Sequence, residues 1–145
     1  MKVAVDAMGG DHAPQAIVEG AAQAAKKLAV DEVILVGDRV SIERELARHR
    51  RQEDAPVTIV HTPHVVPMHE SPSRVLRAKY DTSISVAVDL MKDGVCDAVV
   101  TAGNSGAAMA VSMWKLKKLD GVERPALAGI HPTLTGASVL IDAGG

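Results

Sequence analysis

Two short apolar runs, each ending in a glycine turn and each followed by a helical pattern, constrain the fold of this chain more than any other feature. The first is Lys2-Val3-Ala4-Val5-Asp6, followed by Ala7-Met8-Gly9-Gly10-Asp11-His12-Ala13 and closed by Pro14, a residue that suits the first turn of a helix. The second is Val99-Val100-Thr101, followed by Ala102-Gly103-Asn104-Ser105-Gly106 and then by a helix from Ala107, with Met109, Met113 and Leu116 at spacings of four and three. Strand, tight turn and helix in that order make the repeating unit of an open parallel sheet. In such a sheet Gly103, Asn104, Ser105 and Gly106 lie at the carboxyl end of a strand, where free backbone amides and a positive helix end favour an anion.

The chain between these units keeps the same alternation. Ile17, Ala21, Ala24 and Leu28 share one face of a helix from about Pro14 to Leu28, and Glu32 to Val36 is a second strand ended by Gly37-Asp38. Ser41 is placed to cap a helix with Ile42 and Leu46 on its buried side; Glu43, Arg44, Glu45, Arg48, Arg50, Arg51 and Glu53 form its wet face. Val57 to Val60 is a third strand. Pro63, Pro67 and Pro72 make His61 to Asp81 a long loop, with Ser71-Pro72 able to start a short helix. Asp81 or Thr82 caps a helix carrying Ile84, Val88 and Met91 that ends near Gly94. Pro125 to Ile130 is a strand, Thr133 to Gly136 a turn, and Ser138 to Asp142 a last strand. The fold class expected is α/β, a doubly wound, mostly parallel sheet with helices on both faces.

Composition limits the function classes. The 145 residues suffice for one domain, and the 47% hydrophobic content is aliphatic, with no Phe, one Trp and one Tyr. A net charge of −2 and a lack of stacking aromatics argue against nucleic acid as a partner. Cys96 is the only cysteine, which excludes an internal disulfide or thiolate zinc site and makes a reducing cytoplasm the simple expectation; Cys96, Met109, Met113 and Trp114 read as packing residues. The amino terminus lacks a signal-peptide pattern, and no segment has eighteen uninterrupted apolar residues.

Three groups carry candidate chemistry. Gly9 and Gly10 permit a tight turn and close approach to a ligand beside Asp6, although the spacing matches neither a dinucleotide fingerprint nor a phosphate-binding P-loop; a plain turn with Asp11 satisfying helix amides is the alternative. Gly103-Asn104-Ser105-Gly106 misses the G-x-S-x-G nucleophile elbow because position 107 is Ala. Asn104 and Ser105 are therefore read as donors to a phosphate or an oxyanion, or as a small-residue turn with Ser105 as a cap. Arg74, Arg77 and Lys79 suit phosphate recognition or a solvated surface. His61, His64 and His69 lack the frame of a metal site, and His61 reads as a polar group lining the crevice or satisfied in the loop.

The segments Val3 to Asp11 with Ala13-Pro14, Ala16 to Gly20, Ile34 to Asp38, Ala102 to Ala107 and Arg124 to Leu127 together resemble the bacterial phosphate acyltransferases of phospholipid synthesis. The resemblance covers the chain in order, and D-A-M-G-G-D joined to A-G-N-x-G-A is its most specific part; Ser105 stands where the family most often has Thr. It implies an isocitrate-dehydrogenase- or phosphotransacetylase-like fold and transfer of a fatty acyl group from acyl-carrier protein to inorganic phosphate. It also implies a cytosolic homodimer with peripheral membrane association and no cofactor, supplying acyl phosphate to a membrane glycerol-phosphate acyltransferase. On this resemblance Gly9, Gly10, Gly103, Asn104, Ser105 and Gly106 line the phosphate and oxyanion region. Arg74, Arg77 and Lys79 offset phosphate charge or meet the acidic carrier, Asp6 orients a cation or water, and His61 carries a proton. The family pattern continues past Asp142-Ala143-Gly144, so residues 1–145 read as the front portion of one acyltransferase domain. A coenzyme-A-dependent phosphotransacetylase and a non-catalytic anion-binding module are the alternatives.

Overall fold

The computed structural model describes residues 1–48, 55–77, 81–123 and 125–141. Lys79, the Arg50, Arg51 and Glu53 end of the expected wet face, Arg124 and Asp142 lie outside the described residues.

Four parallel strands, β1 (Lys2–Asp6), β2 (Glu32–Gly37), β3 (Val57–His61) and β4 (Ala98–Val100), pair in the order β3-β2-β1-β4. Successive residues of a strand point to opposite faces, and in β1 and β2 both faces are buried. Val5, Val33 and Leu35 face α1 (Gln15–Lys27) and α2 (Arg39–Arg48), meeting Val18, Ala21, Ala25 and Ile42. Ala4, Ile34 and Val36 face the opposite way, onto Ala87 of α4 (Ser83–Lys92) and onto Cys96. A third cluster joins Val75 of α3 (Pro72–Arg77), Ile84 and Val88 of α4, and Ala107 and Val111 of α5 (Ser105–Leu116). The sheet is thus covered on both faces, as the alternating pattern predicts.

The order of the strands places the crevice. From β1 the chain moves outward through α1 to β2 and through α2 to β3, then returns by α3 and α4 to β4 on the far side of β1. Strand order reverses between β1 and β4, and ligands of open α/β sheets bind at the carboxyl ends of strands at such a reversal.

Several local details differ from the sequence expectation. Asp38, not Ser41, closes the start of α2: its Oδ1 accepts from the Ser41 amide at 2.9 Å and from the Ser41 hydroxyl at 2.6 Å. The hydroxyl and amide of Ser41 hold the Asp38 carboxyl below its ordinary range. Glu45 is buried rather than wet, because it lies one turn from Ile42 on the same face, and it pairs with Arg48 at 2.7 Å. Thr82 caps α4 by accepting from the Ser85 amide. Trp114 and Met113 are exposed on α5 instead of packed, with the Lys115 ammonium over the Trp114 ring.

The last two strands do not join the parallel sheet. β5 (Ala128–Thr133) and β6 (Gly136–Ile141) form a separate antiparallel pair with Thr133 opposite Gly136. The turn explains this: two residues suffice for an antiparallel hairpin, whereas a parallel partner needs a crossover of a dozen or more.

Candidate active site

The turn after β1 and the turn after β4 meet. Val5 lies beside Val100 in the parallel register, so the two strands deliver Asp6 and Thr101 to neighbouring tips. Asp6 is only 4% exposed, and both of its carboxylate oxygens are used: Oδ2 accepts from the Thr101 hydroxyl at 2.8 Å and Oδ1 from the Met8 amide at 3.2 Å. The Thr101 oxygen in turn accepts from the Gly103 amide at 3.0 Å. A buried carboxyl group is thereby hydrogen-bonded to donors from both turns, as buried polar groups require.

The glycines are there for space. A Cβ on Gly9 would lie 2.5 Å from Asp6 Oδ2 and 2.7 Å from Thr101 Oγ1, and one on Gly103 would meet the Gly9 Cα at 3.0 Å. Gly10, at φ +117°, adopts backbone that L side chains rarely take, with Ala102 O beside it. A Cβ on Gly106 would come within 2.9 Å of Pro72 Cγ, so α3 begins against the first turn of α5.

Asn104 has both ends of its side chain engaged. Oδ1 accepts from the Ala107 amide at 2.9 Å and caps α5, a role the sequence reading gave to Ser105. Nδ2 donates to the carbonyls of Met68 at 2.9 Å and Glu70 at 2.8 Å, pinning the long loop to the helix start. Ser105 is exposed, and neither its hydroxyl nor the amides of Gly10, Ser105 and Gly106 have a partner among the described residues. These amides and the α5 dipole are the groups left to face an anion.

The remaining expected site residues are placed unequally. Arg74 projects from α3 with its guanidinium 3.5 Å from Glu70, whose carbonyl holds Asn104, and Arg77 follows along the same short helix; both line a shallow groove with Val66 and Thr82. His61 is not brought to the crevice. It ends β3, two strand spacings or about 10 Å from β1, and its Nδ1 accepts from the Arg39 amide at 3.2 Å. Among the described residues no cluster of three metal-ligating side chains forms, and no helix of the described residues is long and apolar enough to cross a membrane. Thr101, the link between the two turns, was not singled out by the sequence reading. Its signal was a hydroxyl at the tip of a strand next to a glycine turn.

A family model described as "Fatty acid synthesis protein" matches residues 1–145, the whole chain. The chain belongs to the fatty acid synthesis protein family. Relatives of the family named phosphate acyltransferase include those of Geobacter sulfurreducens, 50% identical over 145 residues, and Geotalea daltonii, 49% identical over 145; each match covers 100% of this chain and 41% of the relative. A third, from Desulforamulus reducens, is 48% identical over 144 residues, covering 99% of this chain and 42% of the relative. The chain therefore spans about two fifths of the length of these phosphate acyltransferases.

Proposed function

We propose that the protein to which these residues belong transfers a long-chain fatty acyl group from acyl-carrier protein to inorganic phosphate, releasing acyl phosphate for phospholipid synthesis. The observation that carries the reading is the joining of the Gly9-Gly10 turn to the Gly103–Gly106 turn through Asp6 and Thr101 at the reversal of strand order. Phosphate is already a nucleophile. The protein needs to hold a dianion in line with a thioester carbonyl and to stabilise the oxyanion that develops on it.

The amides of Gly10, Ser105 and Gly106 and the Ser105 hydroxyl supply donors for that purpose, with Gly9 and Gly103 leaving room for the ligand to approach. When phosphate oxygen attacks, the carbon–sulfur bond breaks and the carrier thiolate takes up a proton. Asp6 acts as the buried anchor that fixes both turns rather than as the attacking group, since both its oxygens are held. Asn104 is a positioning residue with the same logic. Arg74 and Arg77 offset phosphate charge or meet an acidic carrier, and the sequence expectation assigns Lys79 the same role. No proton is routed through His61, which ends β3, two strands from β1, and whose Nδ1 accepts from the Arg39 amide. A cytoplasmic homodimer that touches the membrane peripherally and hands its product to a membrane glycerol-phosphate acyltransferase belongs to the same proposal, supported by the family likeness.

The test is substrate dependence in the complete gene product. Phosphate-dependent loss of acyl groups from hexadecanoyl-carrier protein, with no turnover of acetyl-coenzyme A, supports the proposal. Turnover of acetyl-coenzyme A would make it a short-chain phosphotransacetylase, and phosphate binding without turnover of either would make it an anion-binding module.

A further inference from the structure

An aliphatic groove of about 400 Å³ runs along β1 between α1 and the β4 side of the sheet. Its upper end is formed by Val5, Val100 and Ala102, the last lying between the two site residues Thr101 and Gly103; its lower end is formed by Met1, Leu28 and Val30. Every lining side chain is aliphatic, a methionine or the hydrogen of Gly20, and no charged group intrudes. Val100 is 53% and Leu28 61% exposed, so the two ends of the groove are open.

We infer that this groove holds the hydrocarbon tail of the acyl substrate, with the thioester at the Thr101–Gly106 turn. The inference rests on the proposed acyl transfer and adds to it the path of the tail. Three observations support a single aliphatic tail as the occupant. The groove begins at the site itself, so an occupant needs a polar head there and an apolar body below. Its volume falls within the range of small-ligand pockets, about 300 to 1,000 Å³, whereas a protein partner needs a surface of about 800 Å² on each side. Its length is of the same order: four strand steps from Met1 to Val5, both of which line the groove, span about 13 Å. One acyl tail of a bilayer leaflet, half of a hydrocarbon core about 30 Å thick, spans about 15 Å.

Gly20 offers a means of testing this without disturbing the fold. It sits mid-helix in α1 on the groove side, and a Cβ added there meets nothing within 4 Å. Leu at this position therefore fills the groove and is also a better helix former than Gly.

In the complete gene product, a hexadecanoyl-carrier protein bearing a photoreactive diazirine near the tail end is expected to label α1 and the lower part of β1. Gly20→Leu should reduce that labelling at least tenfold, while Lys26→Leu, which adds the same side chain on a stripe of the same helix turned away from the groove, should not. Each buried methylene contributes about a fourfold effect, so Gly20→Leu should also raise the ratio of kcat/KM for octanoyl over hexadecanoyl substrate by at least tenfold. Labelling confined to other segments would overturn the inference. So would an unchanged chain-length ratio in a Gly20→Leu protein that still turns over, the result expected if another part of the polypeptide fills the groove. Absence of acyl transfer in the unaltered protein would defeat the proposed function instead, and the labelling pattern would still decide the path of the tail.

Discussion

Thr101 donates its hydroxyl proton to Asp6 across 2.8 Å of space and 95 residues of sequence, and that one bond ties the turn of the first strand to the turn of the fourth. Thr101→Val keeps the shape and removes the hydroxyl, leaving a buried carboxylate oxygen and the Gly103 amide without their partner. The expected loss is about 1 to 3 kcal/mol of stability, read as a lower urea midpoint with an unchanged slope. Thr101→Ser should restore most of it.

Gly9 and Gly20 should respond in opposite directions to the same substitution. Gly9→Ala forces a methyl against Asp6 Oδ2 and Thr101 Oγ1, and overpacking of this kind costs about 1 to 3 kcal/mol. Gly20→Ala adds a methyl in open space within a helix and should gain about 0.5 to 1 kcal/mol. Thermal unfolding of the two variants beside the parent protein measures both signs.

Asn104→Asp separates the two jobs of Asn104. A carboxylate still caps α5 at the Ala107 amide, but it cannot donate to the Met68 and Glu70 carbonyls. The helix should remain and the loop should loosen, so limited proteolysis is expected to cut between Thr62 and Ser71 faster than in the parent. Asn104→Ala should lose the cap as well, at a further cost of about 1 kcal/mol.

Asp38 gives a pH dependence of known sign. Bonds from the Ser41 hydroxyl and amide lower its folded pKa below the ordinary 3.8, so its stabilising contribution is fully present above that value. The contribution is lost as pH falls through the lower, folded value. Denaturation of the parent and Asp38→Asn across pH 7 to 3 should show a stability difference that is constant down to about pH 4 and shrinks below it.

The alternation of strand and helix was legible because periodicity reports burial directly: Val3-Ala4-Val5 and Val33 to Val36 are apolar on both sides and both sides are covered. The two glycine turns were legible because glycine marks close approach, and Gly9 against Gly103 is such an approach. The Thr82 cap of α4 was legible, whereas the caps of α2 and α5 fall on Asp38 and Asn104 rather than on Ser41 and Ser105, which carry the same kind of acceptor one to three residues away. Only the backbone path decides which is used. The separation of His61 from the crevice depends on strand order, which local pattern does not encode. The hairpin of β5 and β6 was within reach of the sequence, because its turn of Thr133 to Gly136 is too short for a crossover.

The most direct test of the central claim is the rate of acyl phosphate formation by the complete gene product against phosphate concentration, with the parent and Thr101→Val compared under conditions where both are folded. If the two turns form one phosphate and oxyanion pocket, Thr101→Val loses at least tenfold in kcat/KM for phosphate and Thr101→Ser recovers it. An unchanged phosphate dependence in folded Thr101→Val would show that the reaction does not need the two turns held together.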